Sequence, residues 1–70
     1  MMPLTVADTG EELIIRRIGG SPEVKRHLED IGFVVGSPVM ILSKIGGNVI
    51  VNVKESRIAL DGRMAQKIFV

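Results

Sequence analysis

Apolar residues along this chain fall into short clusters cut by glycine, and the clusters switch between two periodicities. "ELIIRRI" (Glu12 to Ile18) is rich in β-formers and ends at Gly19-Gly20, which predicts a single first strand. "SPEVKRHLEDIG" then carries apolar residues at Val24, Leu28 and Ile31, one narrow helical stripe. Ser21 is placed as N-cap, Pro22 at the first helical position, Glu23 in the first turn and Gly32 just past the end. The pattern predicts an α-helix over about 21–31, closed by a left-handed turn at Gly32, with Phe33 falling back onto the core. Gly36 and Pro38 are expected to turn the chain into the next strand.

"VMILSKI" and "NVIVNV" are two β-rich runs joined by Gly46-Gly47, both of which tolerate positive φ, and together they predict a hairpin. Arg57 to Leu60 ("RIAL") follows the polar turn "KES" and is expected to pair with the second of these runs. Asp61 caps a helical turn near 61–67, and "IFV" closes the chain as a last strand. Turn signals every few residues around one helix predict a mainly β fold, a small barrel or sandwich. In "NVIVNV", Val49, Val51 and Val53 share the face expected to be core. In "VMIL", Val39 and Ile41 alternate with Met40 and Leu42, so both faces are apolar and only one fits a single small core. The helix or a partner protein must cover the other face. If a partner does so, Met40, Leu42 and Ile50 are the residues it would touch.

Composition sharpens this picture mostly by exclusion. Seventy residues make one domain, and a chain so short buries only about 60% of the surface it exposes when unfolded. Hydrophobic residues are 46% of the chain, a rich supply for so little interior, which leaves apolar surface for a partner or for self-association into a homo-oligomer. There is no cysteine, so disulfides and thiolate metal sites are excluded. The N-terminus lacks a basic region followed by an apolar core, and no apolar run approaches the roughly twenty residues a membrane-spanning helix needs. A cytoplasmic protein is the expectation, reaching a membrane only through another protein.

Nine basic residues against eight acidic, interspersed, provide no broad positive field, and the aromatics are limited to Phe33 and Phe69. Nucleic acid is therefore not expected as a partner, although Arg16-Arg17 and Lys25-Arg26 keep a small RNA-binding barrel open as an alternative. None of the four serines sits in a nucleophile motif beside a base, and no phosphate-binding loop of the form G-x-x-x-x-G-K is present. No enzymatic activity and no cofactor are expected. His27 is the one imidazole; Glu23 and Asp30 share its flank of the helix and make a weak candidate metal set, short of the four ligands a closed structural site takes.

The order strand, glycine, short helix, "HLEDIGFVVGSPVMIL", glycine hairpin, "VNV", "RIALDGRMAQKIFV" resembles the ferrous iron transport protein A (FeoA) family over essentially the whole chain. Leu28, Ile31, Gly32, Phe33 and Gly36 match its helix-to-strand joint. Ile58, Ala59, Leu60, Ala65, Ile68 and Val70 match its closing signature. Two positions depart from the family pattern: Val35 stands where proline is frequent and His27 where arginine is frequent. The resemblance implies a Src-homology-3-like (SH3-like) barrel and an accessory, regulatory role in ferrous iron uptake, through contact with the cytosolic domain of the membrane GTPase-transporter FeoB. The same barrel is similar to the C-terminal domain of iron-dependent repressors, which is a further alternative. There it would follow a DNA-binding domain, whereas this sequence, starting at Met1, is expected to stand alone.

Overall fold

The computed structural model describes residues 1–70. After a 3-10 turn at Leu4–Val6 come six strands and two helices: β1 (Glu12–Ile14), β2 (Arg17–Ile18), α1 (Pro22–Asp30), β3 (Pro38–Ile45), β4 (Asn48–Val53), β5 (Ser56–Leu60), α2 (Gly62–Ala65) and β6 (Ile68–Phe69). The strands form a four-stranded sheet in the order β1-β3-β4-β5 and a two-stranded sheet pairing β2 with β6. All pairings are antiparallel. The fold is mainly β and SH3-like, as expected, but its ladder does not close into one continuous cylinder.

The expected single strand from Glu12 to Ile18 is in fact two. Ile15 donates its N–H to the Ser37 carbonyl (3.0 Å) and accepts from the Gly36 N–H (2.7 Å), so it still belongs to the β3 side, whereas the Arg16 N–H bonds the Phe69 carbonyl of β6 (2.7 Å). The chain changes sheets between these two residues. Ile15, fully buried, forms the corner, and turning a strand there lets one short run serve both layers of a core too small for a flat sheet.

Helix α1 begins and ends on the predicted chemistry. The Ser21 hydroxyl accepts the Val24 N–H at 3.3 Å, and Pro22 opens the helix. The last helical residue is Asp30, one short of the expected Ile31, which is instead the C-cap. Gly32 adopts φ +116°; its N–H bonds the Glu29 carbonyl (3.0 Å) and the Phe33 N–H bonds the Leu28 carbonyl (2.8 Å). This is a Schellman ending, and its usual hydrophobic contact joins Leu28 to Phe33, both fully buried. Val24 and Ile31 pack partly buried against the same core.

Two tight hairpins build the main sheet. In the first, Ile45 pairs with Asn48 across Gly46-Gly47, and only Gly46 has a left-handed φ (+62°). Positive φ at the first central position alone is the type II′ pattern. In the second, Val53 pairs with Ser56 across Lys54 and Glu55, at φ +47° and +65°. That is the type I′ pattern, which ordinarily takes Asn-Gly; left-handed backbone in other residues costs roughly 1–2 kcal/mol each.

The core is fifteen buried residues, all apolar. Val49, Val51 and Val53 of β4 and Val39 and Ile41 of β3 line its floor, with Leu28 and Phe33 above them. The N-terminal segment contributes Leu4 and Ala7. Met2 and Val70 hold the chain ends together by reciprocal backbone bonds of 2.9 and 2.8 Å. No helix is long and apolar enough to cross a membrane.

Candidate functional site

Since α1 lies on the valine side of the sheet, it cannot also cover the opposite face. The helix as cover for Met40 and Leu42 is thus overturned by the position of Leu28 in the valine core. Register assigns the residues of this outer face. Glu12, Met40, Asn52 and Arg57 form one row across all four strands, and Ile14 lies opposite Pro38 in the next row toward one end. Toward the other end Ser43, Ile50 and Ala59 are aligned.

A β-bulge between Ile41 and Ser43 leaves Leu42 as the extra residue, so Leu42 and Ser43 both face Ile50. The bulge keeps Ile41 buried while leaving Leu42 39% exposed. Met40, Leu42 and Ile50 are therefore gathered on one face of the sheet, with Met40 and Ile50 half-buried. Sequence reasoning missed Ile14 (40% exposed) and Pro38, which extend the strip past Met40. In "LIIR" three consecutive apolar residues hide which one faces outward, and the signal that decides it, the corner at Ile15, is not local.

At the β1 end of this face, a hollow of about 240 Å³ is lined by Pro38, Met40 and Asn52 together with Glu12, Lys54 and Glu55. It lies below the range of about 300–1,000 Å³ usual for small-molecule sites. A second hollow, about 530 Å³, has no hydrophobic side chain in its lining and lies between Thr5, Asn48, Asp61, Arg63 and Gln66, with Gly47 and Gly62 completing its wall. Its carboxylate already has work: Asp61 Oδ1 accepts the Met64 N–H at 2.9 Å and caps α2.

The weak metal set stays unassembled. Glu23, His27 and Asp30 are all exposed on α1, and no three His, Asp or Glu side chains anywhere in the protein stand close enough to hold an ion. Of the two aromatic rings, Phe33 is buried, and half-buried Phe69 carries the Arg17 guanidinium 4.7 Å from its centroid.

Likenesses to known proteins accompany this geometry. The family described as FeoA domain matches residues 2–70. A Methanocaldococcus jannaschii protein provisionally named Fe(2+) transport protein A is 34% identical over 70 residues, spanning 100% of this chain and 85% of its own length. The zinc-complexed FeoA of Stenotrophomonas maltophilia, described as an SH3 domain protein, superposes with a TM-score of 0.85 at 24% identity over 100% of this chain and 89% of that one. A manganese-dependent transcriptional repressor superposes with a TM-score of 0.87 at 24% identity, covering 97% of this chain but only 39% of the repressor. At that identity the last two are likenesses of fold.

Proposed function

This chain belongs to the FeoA domain family, and from that premise we propose that it serves ferrous iron transport as a small cytoplasmic accessory protein that works by touching the cytosolic domain of the transporter FeoB. Its contribution in this reading is contact with another protein. The observation that carries the docking surface is the outer sheet face, where Met40, Leu42 and Ile50 are apolar and uncovered by the protein's own helix. A contiguous apolar strip rimmed by Glu12, Asn52 and Arg57 has the composition of an interface centre with a polar rim.

Titration calorimetry between this protein and the transporter's cytosolic domain tests the proposal. Association is expected for the native chain and its loss for Leu42→Asp, which buries a charge at the contact while leaving the melting temperature of the free protein nearly unchanged. Absence of association, combined with normal iron uptake in cells lacking this protein, rules the proposal out.

A further inference from the structure

The hairpin joining β4 and β5 places two charged residues, Lys54 and Glu55, in left-handed backbone that Asn-Gly would adopt with far less strain. Backbone strain of this kind is held in place by the surrounding structure and clusters at functional sites such as ligand clamps. Both residues, with Glu12 of β1, line the 240 Å³ hollow beside Met40 and Pro38. We propose that this hollow is the specificity pocket of the docking face and that it takes a protein segment presenting an apolar side chain next to a lysine or arginine.

Size and charge select that occupant. The hollow is too small for a cofactor or nucleotide and suits a side chain or two. Pro38 and Met40 supply its apolar wall. Its charged groups are two carboxylates, Glu12 and Glu55, against one ammonium, Lys54. The excess is negative, which complements a basic residue and repels an acidic one. Met40 adds an unbranched, adaptable side chain to the lining.

The inference rests on docking to the transporter's cytosolic domain, and the experiment separates the two. Isotope-labelled protein is titrated with that domain while backbone amide shifts are followed, for the native chain, a Glu12→Gln/Glu55→Gln pair and a Lys54→Asn/Glu55→Gly pair. Shifts centred on Glu12, Met40, Lys54 and Glu55 are expected. Each pair should weaken binding by roughly three- to ten-fold, with the charge-removing pair losing its difference from native as salt rises. The Asn-Gly pair should meanwhile raise the melting temperature by roughly 8–16 °C, because it relieves strained backbone at both turn residues. Higher stability with weaker binding is the signature of strain retained for recognition. Binding by all three proteins with equal affinity, or shifts confined to Leu42 and Ile50, overturns the pocket and leaves transporter docking intact. No shifts at saturating domain concentration overturns both.

Discussion

Three glycines show how differently the same residue type is used. At Gly32 the space beside the backbone is adequate, since a Cβ there would meet only Val53 Cγ1 at an ordinary 3.7 Å, but φ is +116°. Backbone conformation, not crowding, is what excludes a side chain. Gly32→Ala is therefore expected to lose most of what Gly32→Val loses, about 2–3 kcal/mol, lowering the melting temperature by roughly 10–20 °C. At Gly62 the reverse holds: the helical backbone accepts any residue, yet a Cβ would stand 2.8 Å from the Gly47 carbonyl oxygen. Gly62→Ala should cost about 1–3 kcal/mol by overpacking against a backbone that cannot yield. Gly47, facing it, has open space for 4 Å around the place a Cβ would take and lacks a left-handed φ, so Gly47→Ala should melt close to the native protein. Thermal unfolding of the four variants, followed by circular dichroism, checks the order. Gly32 was legible because a helix stripe precedes it; Gly62 was not, because the carbonyl that needs it comes from a hairpin tip far earlier in the chain.

At the scale of elements, local signals were sufficient wherever a segment carries its own stop and start. Ser21, Pro22 and Gly32 bracket α1, and Gly46-Gly47 fixes the β3–β4 hairpin without reference to the rest of the chain. Caps give these elements a measurable share of stability. Ser21→Ala should cost about 1 kcal/mol. Asp61→Ala should cost at least as much despite the shortness of α2, because its carboxylate accepts the Met64 N–H at 2.9 Å against 3.3 Å at Ser21, and a charged acceptor makes the stronger bond. Urea unfolding of both variants measures the two values directly, and a larger loss for Ser21→Ala would show that α2 is held by packing of Ala65 alone. The first strand defeated local reasoning for a physical reason. Glu12 to Ile18 has uniform β propensity, but its division at Ile15 and Arg16 depends on partners at Ser37 and Phe69, distant in sequence. The N-terminal segment was equally opaque, since Leu4 and Ala7 become core only once β6 brings Val70 beside Met2.

The whole molecule joins a small core to an apolar strip on the outer face of its main sheet, and the two compete for the same residue type. Alternation along β3 showed that one face must be left over, and the placement of Leu28 and Phe33 above the valines decided which. Met40, Leu42 and Ile50 were legible as surplus for that reason, whereas the Lys54–Glu55 rim was not, because nothing in "VKES" announces left-handed backbone at a Lys-Glu pair. Competition also sets how fragile the protein is. A chain of 70 residues has a total stability of roughly 3.5–10 kcal/mol, and truncating a buried phenylalanine costs about 3–5 kcal/mol. Phe33 is fully buried, is the largest side chain in the core and closes the α1 terminus against Leu28. Phe33→Ala should therefore leave the protein largely unfolded or partly collapsed at 37 °C, visible as loss of dispersion in its amide spectrum. Leu42→Ser, which removes comparable apolar character from the opposite side of the same sheet, should keep a native spectrum and a melting temperature within a few degrees of native. If Leu42→Ser proved as damaging as Phe33→Ala, the outer face would be part of the fold's own stability and could not be the surface a partner covers.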